Sequence, residues 1–201
     1  MKKLIAYLRI SALSGCAALA VSCTNYLDLN DPDSLSKGNF PTSIGHIDLL
    51  INNAGQPSFK TPTAYEAADV DKCLKGLKGM ILWCVQTLKA CDEQNLKIAN
   101  VMSTAATRGN ANESVYCATK WGEKGYTQSL KAAYKGSSVT VVGVYPGGID
   151  TDFYRESHDY VSLDKQHTFM PAADLAGVML DNLLSEARLT VSDILIERLY
   201  R

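Results

Sequence analysis

Apolar runs that alternate with long amphipathic stretches constrain the fold of this chain most strongly. The apolar runs lie at 47–51, 97–102, 139–144 and 191–196, and helical patterns lie at 65–92, 115–135 and 171–186. Strands separated by long helices are typical of a parallel α/β sheet. The runs scarcely alternate between apolar and polar residues, which indicates strands covered on both sides. The sequence therefore predicts a parallel sheet with helices on both of its faces.

Composition agrees with such a domain and excludes several classes of function. The chain has 201 residues, of which 46% are hydrophobic and 20% charged, enough for one domain with a core. A formal net charge of −1 and the lack of a basic stripe predict no nucleic-acid partner. Three scattered histidines, and six cysteines without a C-x-x-C pair, provide no metal-ligand spacing, so no metal is predicted.

The first 43 residues differ in character from the rest. Two lysines precede an apolar stretch that ends in small residues before Cys23, which is the pattern of a secretory signal. Residues 1–22 are predicted to be a lipoprotein signal peptide, with membrane anchoring through Cys23, and residues 23–43 a polar tether. The alternative is an amphipathic or buried helix with a chance cysteine, and Arg9 within the apolar stretch favours it.

The segment that begins at Cys23 resembles the start of the SusD-like, starch-binding outer-membrane lipoproteins. The resemblance rests on Cys-Thr-Asn-Tyr-Leu-Asp-Leu-Asn-Asp-Pro at 23–32 and on Leu-Ser-Lys-Gly-Asn-Phe at 35–40. It covers residues 1–43 only, and no glycan-binding body follows. It is evidence about the destination of the protein and not about a sugar site. The two lysines, the apolar stretch and Cys23 support an exported, lipid-anchored protein with a binding or inert role, as an alternative to a cytoplasmic enzyme.

One pair of side chains in the second half indicates acid–base chemistry. Tyr116 and Lys120 lie four residues apart at the start of a predicted helix, which places both on one face. The ammonium is expected to lower the pKa of the Tyr116 phenol, which can then exchange a proton with a carbonyl or alcohol oxygen. Ser103 ends the preceding strand and offers a second hydrogen bond to that oxygen. A solvated helix face is the alternative for Tyr-x-x-x-Lys alone.

Four motifs follow successive predicted elements in a fixed order. They are Asn52-Asn53-Ala54-Gly55, Ser103, Tyr116-x-x-x-Lys120 and Pro146-Gly147-x-x-x-Thr151. Together they resemble the short-chain dehydrogenase/reductase family over residues 44–201. The resemblance implies a Rossmann-like sheet and hydride transfer between NAD or NADP and a small-molecule carbonyl or alcohol. It also implies a cytoplasmic homo-oligomer.

The resemblance assigns roles to individual residues. Tyr116 would be the general acid/base, Ser103 would orient the substrate, and Lys120 would bind the nicotinamide ribose and lower the pKa of Tyr116. Tyr116 and Lys120 would also contact the cofactor. The rest of the cofactor cleft would be lined by Asn53, Ala54, Gly55, Pro146, Gly147, Ile149 and Thr151.

Two departures from the family pattern bear on activity. The family places an asparagine in the first long helix, where it helps to hold a water used in proton relay, and this chain has Gly76 there. The sequence also contains no glycine-rich G-x-x-x-G-x-G or G-x-G-x-x-G motif. We therefore interpret 44–201 as an incomplete Rossmann-like domain, either fused near Thr42 to a lipoprotein start or naturally truncated. Reduced turnover is expected, and the strand ending at Ile51 is expected to form an exposed apolar edge.

Two other groups of residues have a structural interpretation beside a functional one. Cys73, Cys84 and Cys91 coincide with the apolar stripe of the first helix, which predicts buried core thiols, and Cys117 is interpreted as a packing residue. The segment after the third strand would be a substrate-side lid in a reductase and a solvated helix otherwise. Its charged residues are Asp152, Arg155, Glu156 and Asp159.

Overall fold

The computed structural model describes residues 19–22, 47–90, 95–151, 153–154, 169–185 and 190–198. The strands are β1 (Leu19–Ser22), β2 (Leu49–Asn52), β3 (Lys97–Val101), β4 (Thr140–Pro146), β5 (Ile149–Asp150), β6 (Met170–Pro171) and β7 (Asp193–Ile196). The helices are α1 (Ala67–Ala90), α2 (Ser114–Ala133) and α3 (Ala172–Leu183), and a 3₁₀ turn spans Thr104–Ala106. Five strands form a parallel sheet in the order β1-β2-β3-β4-β7, and β5 pairs with β6 separately.

Helices cover both faces of the sheet, which confirms the predicted fold class. On one face, side chains of α1 and α2 pack on the inner strands; the buried members include Leu50, Met80, Cys84, Ile98 and Val141. On the other face, α3 packs on the alternate positions of the same strands; the buried members include Ile51, Ala99, Val142, Leu175, Met179 and Leu183. Because both faces are covered, every residue of β2 is buried.

The predicted elements are present, with ends displaced by a few residues. The helix expected at 115–135 spans Ser114–Ala133, and the strand expected at 47–51 spans Leu49–Asn52. Asn52, expected as the first residue of a turn, is instead the last residue of β2. It is held in the sheet because its side-chain amide donates a hydrogen bond of 2.8 Å to Oδ1 of Asn100 in β3.

The exposed edge expected at Ile51 is wrong. β1 pairs in parallel with β2, from Leu19 opposite Leu49 to Ser22 opposite Asn52. This pairing supplies a backbone partner to the outer side of β2, so the edge of the sheet moves to β1.

β1 coincides with the end of the predicted signal peptide, whereas Cys23 and the tether lie outside the described residues. The signal peptide, the anchor and the location in the cell stay predictions. No helix in the described part of the chain combines the length and apolar character that a membrane crossing requires.

α1 and α2 pack closely at Gly122. A Cβ on Gly122 would lie only 2.9 Å from Cδ2 of Leu77, so a larger residue there would require the Leu77 side chain to move. Gly125, one helical turn further on, has open space beside it. α2 also packs against β4 and against the 3₁₀ turn that follows β3.

Candidate active site

The carboxyl ends of β2, β3 and β4 open onto one edge of the sheet because the strands are parallel. At the end of β3, Ser103 caps the 3₁₀ turn, and its Oγ accepts a hydrogen bond of 3.1 Å from the backbone N–H of Ala105. The cap fixes the Ser103 hydroxyl at this edge, ahead of α2.

Ser103, Tyr116 and Lys120 lie together, as the spacing predicts. The hydroxyl of Ser103 lies close enough to the Tyr116 phenol to lower its pKa. The ammonium nitrogen of Lys120 lies 5.6 Å from the centroid of the Tyr116 ring. Tyr116 is 7% exposed and Lys120 4% exposed. A hydroxyl, a phenol and an ammonium therefore share one buried cluster.

The expected lowering of the Tyr116 pKa is wrong for this structure. Burial raises the pKa of the Tyr116 phenol far above its usual range, the charge of Glu123 raises it further, and the hydrogen bond with Ser103 opposes both. Lys120 cannot act as an isolated cation because its Nζ forms an ion pair of 2.8 Å with Oε2 of Glu123. The raised pKa favours the neutral form of the Tyr116 phenol.

Glu123 is the residue of this cluster that the sequence analysis missed. Its side chain is fully buried, Oε2 accepts a hydrogen bond from Lys120, and Oε1 has no hydrogen-bond partner among the described residues. Burial raises the pKa of the Glu123 carboxyl, and Lys120 opposes the rise. The signal in the sequence is its position three residues after Lys120, on the same helix face.

The turn after β2 lies against the ammonium of Lys120. A Cβ on Gly55 would be 3.4 Å from Nζ of Lys120, so the ammonium borders the space that a side chain at position 55 would occupy. Asn53 is exposed and Ala54 is half-buried. The turn thus presents its outer side to the open edge and its inner side to the ammonium.

The segment after β4 reaches the same edge of the sheet. Its predicted site residues are Pro146, Gly147, Ile149 and Thr151. Pro146 ends β4, Gly147 donates a backbone hydrogen bond of 2.8 Å to the carbonyl of Ile196, and Ile149 pairs with Met170. Thr151 follows β5 and accepts a hydrogen bond of 3.4 Å at Oγ1 from the backbone N–H of Phe153. The charged residues of the predicted lid lie outside the described residues.

Aromatic rings that the sequence analysis did not single out surround Tyr116. The ring of Phe59 meets that of Tyr116 edge-on at 5.3 Å, and the ring of Phe153 lies 6.0 Å away. Tyr154 stacks on Phe59 at 5.9 Å. The residues on both sides of Phe59 donate hydrogen bonds to Asp69 at the start of α1, which fixes this ring. Phe59 and the pair Phe153 and Tyr154 come from separate loops, so no periodic sequence pattern predicts that these rings meet.

The cysteines that the structure describes are core thiols, as predicted. Cys73, Cys84 and Cys117 are buried and unoxidised, and Cys91 lies outside the described residues. Burial raises the pKa of the Cys84 thiol to about 11, so it stays protonated near neutral pH.

Comparison with known proteins shows similarity to enzymes of one family. The family model described as short chain dehydrogenase matches residues 25–161. The match begins before residue 44, where the resemblance was predicted to begin, and so includes part of the predicted tether. The sepiapterin reductase of Chlorobaculum tepidum is 28% identical over 155 residues, which cover 76% of this chain and 62% of that reductase. The chain therefore spans about three fifths of that relative's length.

Solved structures share the fold. A short-chain dehydrogenase/reductase from Vibrio parahaemolyticus has a TM-score of 0.72 and 26% identity, and the match covers 86% of this chain and 76% of that one. A short chain dehydrogenase from Burkholderia cenocepacia, solved in complex with NADP, has a TM-score of 0.65 and 25% identity, with coverage of 76% and 65%. By the extent of the family match and by its fold, the chain belongs to the short chain dehydrogenase family.

Proposed function

We propose that this chain reduces a small-molecule carbonyl to an alcohol with NADH or NADPH. The observation that carries the proposal is the grouping of the Ser103 hydroxyl, the buried Tyr116 phenol and the buried ammonium of Lys120 at one edge of the sheet. The family match supports it, as does the NADP bound to the related Burkholderia protein. The proposal is written for reduction because a neutral phenol can donate its proton to the oxygen of a carbonyl substrate.

The residues at the open edge fit the nicotinamide–ribose end of such a cofactor. Because Gly55 has no side chain, the Lys120 ammonium faces this turn directly, and this surface suits the vicinal hydroxyls of a ribose. Asn53 and Ala54 would line the same side, and the segment after β4 would border the nicotinamide through Pro146, Gly147, Ile149 and Thr151. When bound, the cofactor supplies the hydride.

The side chains of Ser103, Tyr116 and Lys120 bind the substrate oxygen and supply the proton that it receives. Ser103 donates a hydrogen bond to the carbonyl oxygen of the substrate, and Tyr116 transfers its phenolic proton to that oxygen as the carbonyl carbon gains hydride. The product is an alcohol, and the phenolate that remains recovers a proton from solvent. Lys120 stabilises this phenolate by its positive charge.

The rings around Tyr116 indicate the kind of substrate. Phe59 and Phe153 place apolar surface beside the phenol, where the substituents of the carbonyl would lie. Apolar surface favours apolar substituents and excludes water from the proton transfer. We therefore expect aromatic or branched aliphatic ketones and aldehydes to be better substrates than charged ones.

The test is the oxidation of NADPH and NADH by the full chain with a panel of ketones and aldehydes. Tyr116→Phe is expected to lower kcat by about 100-fold or more, because general acid catalysis contributes roughly 10² to 10⁴ in rate. Tyr134→Phe, at the carboxyl end of α2, is the matched control and is expected to retain activity. Cofactor binding, followed by fluorescence, is expected to survive in Tyr116→Phe.

Two outcomes would contradict the proposal. One is a folded wild-type chain that neither binds nor oxidises either cofactor. The other is a Tyr116→Phe variant as active as the wild type, which would assign the proton to another group.

We extend the proposal to a homo-oligomer that pairs through α1 and α2. Leu74 on α1 and Trp121 on α2 are 42% and 48% exposed, which supports a covered surface in the assembly. Light scattering of the purified chain tests this, with Trp121→Lys expected to shift the mass toward the monomer. A wild-type chain that is monomeric at micromolar concentration would contradict it.

A further inference from the structure

Gly76 on α1 and Glu123 on α2 face each other behind the candidate active site. A Cβ on Gly76 would lie 3.4 Å from Oε1 of Glu123, 3.4 Å from the carbonyl oxygen of Ala54 and 3.4 Å from Cα of Gly55. A Cβ would just fit among these three groups, but a longer side chain would have to displace one of them. The carboxylate of Glu123 therefore occupies the space into which a side chain at position 76 would extend.

Only one of the two carboxylate oxygens of Glu123 has a hydrogen-bond partner among the described residues. Oε2 forms the 2.8 Å ion pair with Lys120, whereas Oε1 has no hydrogen-bond partner among the described residues. Leaving a buried carboxylate oxygen unpaired is costly, so a residue that served the fold alone would be better replaced by an apolar one. This cost points to a role for Glu123 in what the cluster does.

The ion pair determines where the ammonium lies. Lys120 has a long, flexible side chain; its Nζ lies 2.8 Å from Oε2 of Glu123 and would lie 3.4 Å from a Cβ on Gly55. Without the carboxylate, a buried ammonium would lose its counter-charge and be free to move toward solvent. The position of the ammonium beside the turn at Gly55 thus depends on Glu123.

We propose that Glu123 is a positioning residue, which uses the space left by Gly76 to hold the ammonium of Lys120 against the turn at Gly55. The carboxylate on α2 thereby fills the space beside position 76 of α1, which a longer side chain there would otherwise occupy. The inference rests on the proposed function, because the ammonium so positioned is the one that would meet the cofactor and the phenolate of Tyr116.

The first test removes the charge of Glu123 and keeps its shape. Glu123→Gln is expected to lower kcat and weaken NADPH binding, with a combined loss of about 10- to 100-fold in kcat/KM, because misplaced groups cost factors of this size. Glu113→Gln is the matched control: its carboxylate also raises the pKa of Tyr116, but it hydrogen-bonds to Asn110 rather than to Lys120. The control is expected to stay within about twofold of wild type in kcat/KM.

The second test asks whether position 76 can replace Glu123. Glu123→Ala and Gly76→Asn are each expected to lower kcat/KM, the first by freeing Lys120 and the second by displacing the carboxylate. The double variant Gly76→Asn with Glu123→Ala is expected to exceed Glu123→Ala by at least about fivefold, because the amide enters the vacated space. If the losses in kcat/KM of the two single variants multiply in the double variant, a side chain at position 76 does not replace Glu123, and the proposal is wrong.

A third measurement needs no cofactor. Acetylation of lysines by an activated ester is followed by mass spectrometry, with Lys124 as the internal reference. In Glu123→Gln the ammonium of Lys120 loses the carboxylate that holds it inside the cluster, so its labelling is expected to rise several-fold relative to Lys124. Unchanged labelling of Lys120 in Glu123→Gln would overturn the positioning role.

The failures of the two proposals are distinguishable. A wild-type chain that neither binds nor oxidises NADPH or NADH overturns the proposed function, and this inference with it. An active wild type with a fully active Glu123→Gln variant overturns this inference alone. Thermal unfolding of each variant separates loss of position from loss of fold.

Discussion

The two faces of the sheet are built from the same strands but carry different side chains. Toward α3, the buried residues of β2, β3 and β4 are all apolar. Toward α1 and α2, each strand begins apolar and turns polar or small near its carboxyl end: Leu50 is followed by Asn52, Ile98 by Asn100, and Val141 by Gly143. These last three positions lie side by side in the sheet register.

Hydrogen bonds connect this polar row to α2. Asn52 donates to Oδ1 of Asn100 at 2.8 Å, and Asn100 donates to Oγ1 of Thr127 at 3.0 Å. Thr127 donates to the backbone carbonyl of Glu123 at 2.7 Å. The chain of hydrogen bonds therefore ends at the residue that pairs with Lys120.

This difference indicates that the two faces of the sheet contribute to the molecule in different ways. Apolar contacts are non-directional, so the α3 face contributes stability and tolerates small shifts. Hydrogen bonds fix distance and direction, so the α1 and α2 face determines where the first turns of α2 lie. Changes on the α3 face should cost stability alone, and changes on the other face should also alter the candidate active site.

The largest effect is expected on the apolar face. Leu183→Ala removes a side chain that is 1% exposed and is expected to lower the free energy of unfolding by about 3 kcal/mol. Urea denaturation measures it, and NADPH affinity should not change. Leu184→Ala, next in sequence but 48% exposed, is the control and should cost less than about 0.5 kcal/mol. Altered cofactor affinity in Leu183→Ala would break the comparison.

The next largest effect is expected on the polar face, where ionisation of the Cys84 thiol makes the free energy of unfolding depend on pH. Burial raises its pKa from 9.0 to about 11, so the folded state retains the proton longer than the unfolded state. The resulting stability is present below pH 9.0 and is lost as the pH rises through about 11, a loss of about 2 to 3 kcal/mol. Urea denaturation at several pH values should show this extra decline in wild type but not in Cys84→Ala. Parallel declines would refute it.

A somewhat smaller loss is expected at the centre of the polar row. Asn100→Leu leaves Asn52 and Thr127 without their partner and should cost about 2 kcal/mol. Replacing Asn52 by Leu as well should cost less than the sum of the single changes, which a double-mutant cycle measures. Both variants should also weaken NADPH binding, because α2 loses its connection to the sheet. Additive losses with unchanged affinity would mean that the row contributes stability only.

The smallest effect is expected at the margin of the polar face. Lys131 on α2 forms an ion pair of 2.7 Å with Asp193 at the start of β7, and Asp193 is 40% exposed. Lys131→Ala should therefore cost less than about 1 kcal/mol, and high salt should remove the difference from wild type. A loss as large as that of Asn100→Leu would place this pair within the core of the polar face.

Much of the α3 face was predictable, because apolar runs and helix spacing report burial directly. The order of elements and the start of α2 follow from these patterns. The grouping of Ser103, Tyr116 and Lys120 was also predictable, since each stands at a fixed offset from a strand end or helix start. The polar row was not, because Asn52 reads as a turn residue until Asn100 and Thr127 are known to face it.

The sequence by itself determined the kind of fold, the edge of the sheet where chemistry would lie and the hydroxyl, phenol and ammonium found there. Only the tertiary structure decided in which direction the pKa of the phenol moves. It placed Glu123 against Lys120 and buried Tyr116, which reversed the expected shift of the tyrosine pKa. It also brought β1 to the edge of β2. Spacing along a chain specifies which residues share a face, whereas burial and charge pairing depend on what the rest of the molecule packs against that face.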